Sequence, residues 1–323
     1  MRVLVTGATG FLGSHLCRRL CESGSRVTAF HRASSNVSAL VSAGVDFRAG
    51  DLTNFDRLCE VVRGHDAVIH AAAEIRYSSR FANAHQQVNI EGTRNVVRAC
   101  RQECVSRLVH VSSVSAIGIP EPTDGPADET FPFNLERSRL TYHLSKKRAE
   151  EAVLEETGKG LDAVIVNPAS IFGPFGRIYR GAEMIRKVAS SRIVSYYRGG
   201  ICCVHVDDVS SGILTALQRG ARGERYILGG ENVTFEEIAR RSASAQDLAR
   251  WMVPVPPIVT GLLSAVLTPA GHLLRRSFRF TPELHYCASR PMFYKSDKAV
   301  RELDYRFRPF RDIIAEVLAT RQG

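Results

Sequence analysis

Tyr142 and Lys146 stand one helical turn apart in Tyr142-His143-Leu144-Ser145-Lys146, which puts a phenol and an ammonium on one face of a helix. Such a pair suits proton transfer to or from a substrate oxygen. An ordinary tyrosine, with a pKa near about 10, is a poor acid or base at neutral pH. An adjacent ammonium, reinforced by any further positive charge at the site, favours phenolate; lowering the value by about three units requires roughly 4 kcal/mol. Some 30 residues earlier, Val111-Ser112-Ser113-Val114-Ser115 ends a predicted strand, and a serine there can polarise a carbonyl by hydrogen bonding to its oxygen. The same spacing recurs in Tyr294-Lys295-Ser296-Asp297-Lys298. With nine tyrosines and six lysines, one chance repeat is unsurprising, and Tyr294, past the predicted sheet, is read as surface or pocket wall.

A second constellation lies at the start of the chain. Val3-Leu4-Val5-Thr6-Gly7-Ala8-Thr9-Gly10-Phe11-Leu12-Gly13 reads as strand, glycine turn and helix start in direct succession. Gly7 allows the tight turn, Gly10 admits a pyrophosphate against the backbone, and Gly13 lets the helix pack closely; the helix N-terminus supplies free N–H groups. This is a dinucleotide-binding turn. The second strand ends Phe30-His31-Arg32, with no acidic residue from Ser23 to Val45 to hold the ribose hydroxyls of NAD. Arg32 can instead clamp a 2′-phosphate, so NADP(H) is the expected cofactor, with NAD(H) as the alternative. Asp51-Leu52 follows the third strand, where it can hold the adenine amino group. The small side chains of Ala71, Ala72 and Ala73 follow the fourth, where they let a cofactor lie close.

These residues require a particular scaffold. Strands predicted at Arg2-Val5, Arg26-Phe30, Val45-Arg48, Ala67-His70, Arg107-Ser112 and Asp162-Asn167 alternate with amphipathic helices that bury Leu12, Leu16 and Leu20 or Val88, Val96 and Val97. The fold class is α/β: a Rossmann-type doubly wound parallel sheet with a smaller, mostly helical C-terminal substrate lobe. Residues 1–170 form the dinucleotide-binding domain, to which 202–229 return as a strand at Cys202-Val206 and a helix from Asp207 to Gln218. Residues 171–201 and 230–323 form the lobe.

Composition narrows the function classes. A chain of 323 residues with 44% hydrophobic and 24% charged residues excludes disordered and fibrous classes. The net charge of +10 is spread through the chain rather than gathered in a basic run, so no nucleic-acid partner is expected. The eight cysteines match no metal-ligand spacing and are read as buried thiols; no metal site is expected. The chain passes from Met1-Arg2 directly into a strand without a secretory leader, so a cytoplasmic location is expected. Met252 to Leu274 carries no charge, but Pro254, Pro256, Pro257 and Pro269 break it. It is read as a wall or lid of an apolar substrate pocket, with peripheral membrane contact as the weaker alternative.

The motifs TGATGFLG, GDL, HAAA, VSSVSAIG, YHLSK, NPASIFGP and HVDDV, in that order, resemble those of extended short-chain dehydrogenase/reductases of the NAD-dependent epimerase/dehydratase family. The chain is most similar to the branch of dihydroflavonol 4-reductase-like and 3β-hydroxysteroid dehydrogenase-like proteins. The resemblance implies a triad of Ser113, Tyr142 and Lys146, with Ser113 preferred to Ser112 by its distance from Gly118. It implies cofactor contacts at Gly7, Gly10, Phe11, Leu12, Gly13, Arg32, Asp51, Leu52, Ala71, Ala72, Ala73 and Asn89. Asn167, Pro168, Ala169 and Ser170 are implied beside the nicotinamide. It also implies a homodimer through helices at about residues 83–102 and 142–158. One departure is informative: where sugar-nucleotide enzymes of the family carry an arginine, this chain has Ile201. An apolar or polyphenolic small-molecule substrate, reduced or oxidised by hydride transfer, is therefore the expected reading. The alternatives are a sugar-nucleotide epimerase or dehydratase, and a non-catalytic NADP-sensing protein. Ile75, Tyr77, Phe175, Tyr179 and Tyr196 are candidate wall residues.

Overall fold

The computed structural model describes residues 1–174, 180–244, 251–256, 258–259, 261–262 and 281–320. Strands β1 (Arg2–Thr6), β2 (Arg26–His31), β3 (Asp46–Ala49), β4 (Ala67–His70), β5 (Arg107–Val111) and β6 (Ala163–Pro168) fall where the sequence predicts them, to within a residue or two at each end. Apolar residues run almost without break in β1, β4, β5 and β6 because both faces of a parallel sheet are covered. Alternate residues serve opposite faces: Val3, Val5, Ile69, Val109 and Val166 pack on one side, Leu4, Val68, Leu108 and Ile165 on the other.

Helix α1 (Phe11–Glu22) covers the first face with Leu16 and Leu20. The second is covered by α2 (Phe55–Val62), which follows β3 and is capped by the Asn54 side chain on the Arg57 N–H, together with α4 (Gly92–Gln102) and α5 (Thr141–Gly158). A short α3 (Ala82–Ala84) and a π-helical stretch, His85–Glu91, lead into α4; that stretch carries the buried Asn89. The strand order, β10 (Arg225–Leu228), β6, β5, β4, β1, β2, β3, reverses between β1 and β4, where dinucleotide folds open their binding crevice.

The return of the chain differs from expectation in one element. After β7 (Ser170–Phe172), α6 (Arg180–Ser190) and β8 (Ile193–Tyr196), strand β9 (Gly200–His205) does not join the main sheet. It pairs with β7 and, beyond β10, with β11 (Glu231–Thr234) and β13 (Pro291–Met292) in a separate four-stranded sheet. Its neighbours come from distant parts of the chain, so no local period announces them. Helix α7 (Val206–Arg219) does return to the main sheet through Val209 and Ile213, and β10 (Arg225–Leu228) adds the seventh strand beside β6. The C-terminal region thus holds strands as well as helices, including β12 (Trp251–Pro254) paired with β8 and α8 (Phe235–Ser244). Its core gathers Phe172, Ile201, Val233, Phe310 and Ile313.

Among the described residues no helix is long and apolar enough to cross a membrane; residues 257, 260 and 263–274 of the uncharged segment, and Phe175 and Tyr179, lie outside them. Six cysteines are buried, but Cys21 is half-buried and Cys104 exposed, correcting the expectation of eight buried thiols.

Candidate active site

The glycine turn and the Tyr142 helix meet at one cavity of about 270 Å³. Gly7 sits at φ +68°, and a Cβ on it would come within 2.6 Å of the Ala72 backbone nitrogen. A Cβ on Gly13 would run into the Gly7 carbonyl oxygen. Only glycine lets α1 and the β4 exit approach this closely. Helix α1 has no side-chain cap at Gly10 and no acidic residue in its first turn, so its first N–H groups and positive dipole end face the cavity unopposed. The residues present therefore form a cradle that fits a pyrophosphate.

On the opposite wall, Ser113 follows β5 by two residues in extended backbone and caps a short 3₁₀ turn, its Oγ accepting the Ser115 N–H at 3.1 Å. The same hydroxyl lies near enough to the Tyr142 phenol to favour its ionised form, whereas the Ser112 Oγ, though also at the cavity, is buried without a partner. That contact separates the two serines. Lys146 is 3% exposed and donates from Nζ to the Val111 carbonyl oxygen at 3.0 Å.

The electrostatics overturn one expectation. Burial pushes the Tyr142 phenol up to about 12, with the Ser113 hydrogen bond opposing the rise and the Glu74 carboxylate adding to it. The predicted lowering by Lys146 is absent, because desolvation dominates at a fully enclosed phenol. The same burial pulls the Lys146 ammonium down to about 8, and Glu150 acts against that fall.

The model of the NAD dependent epimerase/dehydratase family matches residues 3–229. This chain belongs to that family. A candidate dihydroflavonol 4-reductase of Synechocystis sp. is 34% identical over 93% of this chain and 88% of its own length. Sterol demethylase protein B of Methylococcus capsulatus is 33% identical over 88% and 86%. The crystal structure of gox2253 superposes with a TM-score of 0.82 at 35% identity, covering 98% of this chain and 96% of that one. As a member of the family, the protein is an NAD(P)-dependent oxidoreductase of the extended short-chain type.

Within this epimerase/dehydratase-family site, the cavity is lined by Gly7, Gly10, Phe11, Leu12, Gly13, Ala71, Ala73, Ser113, Tyr142, Lys146, Pro168, Ala169 and Ser170 of the residues expected from sequence. The remaining expected residues do not face it. Ala72 packs against Gly7, and Leu52 is buried against Gly92. Arg32 and Asp51 are exposed at the far end of the crevice, where Thr53 holds Asp51 Oδ1 through its N–H at 2.9 Å and its hydroxyl at 2.7 Å. Those bonds, with the Arg32 guanidinium contributing, keep the Asp51 carboxyl below its usual value.

Asn89 is spent within the protein: Oδ1 accepts from the Glu74 N–H at 2.7 Å, and Nδ2 donates to the Glu74 carbonyl and to Ser145 Oγ. It braces the loop after β4 against α5, so its expected direct cofactor contact gives way to a supporting one. Asn167 likewise is wholly buried and lies behind the cavity.

Sequence reasoning missed Ser115, Cys202 and Met292 on the wall and left Tyr294 undecided. Tyr294 is not surface: it is 3% exposed, lines the cavity and donates to the Gly118 carbonyl at 2.7 Å. Tyr77 lies with its ring 4.9 Å from that of Tyr142 and its hydroxyl 3.3 Å from Ser115 Oγ. The spacing of Ser113 and Ser115 on a turn could have indicated Ser115; nothing local marks Cys202 or Met292. A second cavity, of about 410 Å³, lies among Met184, Val194, Tyr196, Phe235 and Leu284 and contains none of the triad, so Tyr196 is not a wall of the site described here.

Proposed function

We propose that the protein is an NADP(H)-dependent reductase of carbonyl groups on apolar or polyphenolic small molecules. One observation carries this reading: Ser113, Tyr142 and Lys146 open onto the same cavity as the glycine turn, and among the described residues Lys146 is the only charged group lining it. Ile75, Tyr77, Ile171 and Met292 give the cavity a largely apolar stretch of wall, interrupted only by uncharged hydroxyls such as that of Ser115. Among the described residues no guanidinium lines the cavity to pair with a sugar diphosphate, and Ile201 is turned into the core of the C-terminal region.

Gly7, Gly10, Phe11, Leu12 and Gly13 would hold the pyrophosphate, Arg32 a 2′-phosphate, Asp51 the adenine amino group through its uncommitted Oδ2, and Pro168 to Ser170 the nicotinamide end. When bound, the nicotinamide supplies hydride to the carbonyl carbon. Ser113 hydrogen-bonds the carbonyl oxygen and draws charge onto it. Tyr142 donates its proton to that oxygen as it becomes an alkoxide, and a phenol near about 12 keeps its proton until so strong a base develops. Lys146, the one charged group among the described residues lining the cavity, balances the charge of the phenolate that is left. In this reading the enzyme is cytoplasmic and pairs with a second copy through α4 and α5.

The test is NADPH oxidation with a panel of dihydroflavonols, steroid ketones and long-chain β-ketoacyl compounds. Turnover should occur with at least one class and fall about 10²- to 10⁴-fold in Tyr142→Phe. No turnover with the whole panel, together with tightly held NAD in the purified protein by mass spectrometry, would favour the sugar-nucleotide alternative.

A further inference from the structure

Glu150 lies one helical turn beyond Lys146 on α5, is 1% exposed, and is a point where three elements meet. Its Oε1 accepts a 2.5 Å hydrogen bond from Nδ2 of Asn167 near the end of β6. Its Oε2 faces Nη1 of Arg225, at the start of β10, at 3.4 Å. The Asn167 amide also donates to the carbonyl oxygen of Ser113 at 2.9 Å. A carboxylate on the lysine's helix is thus connected, through one amide, to the backbone of the serine that contacts Tyr142.

We infer that Glu150 is a positioning residue for the proposed reduction: its carboxylate sits one helical turn from Lys146 and, through Asn167, fixes the segment after β5 that places the Ser113 hydroxyl beside Tyr142. This rests on the reductase reading above. A buried carboxylate is costly unless it is bonded and paired. Arg225 alone is a loose answer to that cost, being partly exposed, at the longer distance, and committed through Nη2 to the Glu129 carbonyl at 2.6 Å. The shorter bond goes to Asn167.

The titratable groups that act on Lys146 are Glu150 from its own helix, His70 of β4 and His110 of β5, with Tyr142 one turn before it on α5; those facing Glu150 are Lys146, Asn167 and Arg225. Burial lowers both imidazoles and keeps them neutral. Glu150 is therefore the anion that opposes desolvation of the Lys146 ammonium.

The chain contains six lysines, so ¹³C-lysine labelling gives a spectrum in which Lys146 is identified by its loss in Lys146→Met. Its titration is followed in the whole protein without cofactor or substrate. Glu150→Gln should lower the Lys146 pKa by about one unit, whereas Arg225→Gln, which removes a cation, should leave or raise it. With a substrate from the panel, Glu150→Gln should cut kcat about tenfold near neutral pH with KM little changed, and Glu150→Asp should recover part of the loss. A Lys146 titration unmoved in Glu150→Gln would reduce Glu150 to a structural ion pair and overturn the inference.

Should Glu150→Gln fail to fold, Glu150→Asp keeps the charge but shortens the reach to Asn167; kcat equal to wild type in that variant would equally overturn it. A shifted titration with no turnover on any carbonyl compound would support the Glu150–Lys146 coupling and reject the reductase reading instead.

Discussion

The Nζ of Lys146 is tied to the carbonyl oxygen of Val111 at 3.0 Å, two residues before Ser113, so the ammonium is anchored to the end of the strand that leads to the serine. A buried ammonium held in this way is a cost to the fold accepted at a functional site. With a folded value of about 8 against 10.5 when exposed, it disfavours folding by about 3 kcal/mol below pH 8. Between those two values the unfolded chain binds the extra proton, so the penalty disappears as pH rises through the window.

Lys146→Met should therefore be more stable than wild type by about 1–2 kcal/mol near pH 7, after allowing for the lost hydrogen bond, and almost inactive. The difference should shrink as pH approaches about 10. Urea unfolding of both proteins across pH 6–10 checks this, and a variant less stable than wild type at every pH would contradict the assignment.

The contact between Gly13 and the Gly7 carbonyl leaves no room for a methyl group. Gly13→Ala should force α1 away from the turn, with a loss of about 1–3 kcal/mol and weaker dinucleotide binding, since the N–H groups of the helix would no longer converge on one point. Thermal unfolding with and without NADP(H) measures both effects. Unchanged melting and affinity would show that the turn has more freedom than its packing indicates.

Arg32 is exposed beside Asp51, away from the Tyr142 cavity, so replacing it should affect cofactor choice and not chemistry. Arg32→Ala should weaken NADP(H) by about 10- to 100-fold, the value of one or two charge-assisted hydrogen bonds to a phosphate, and leave NAD(H) within about threefold. Calorimetric titration with each cofactor decides; equal losses for both would place Arg32 on the shared part of the dinucleotide.

The amino-acid sequence by itself determined the glycine turn, the six strands from Arg2 to Pro168 and the Tyr142–Lys146 spacing, because each depends on residues within a few positions of one another. A run of buried β-branched residues, a turn requiring positive φ at Gly7 and a four-residue helical step are local facts that no distant partner alters. Tertiary structure alone decided the rest. The surroundings of the two serines, Ser113 beside Tyr142 and the Ser112 Oγ buried without a partner, depend on how the whole chain packs. The pairing of β9 with β7, β11 and β13, and the arrival of Cys202, Met292 and Tyr294 at the wall, depend on segments brought together from far along the chain. The acidity of Tyr142 was misjudged for the same reason: spacing shows that a lysine is near, but only the packed structure shows that its ammonium bonds to Val111 while the phenol is stripped of water. Desolvation belongs to the whole enclosure around a group, and no neighbouring residue in the chain reveals it.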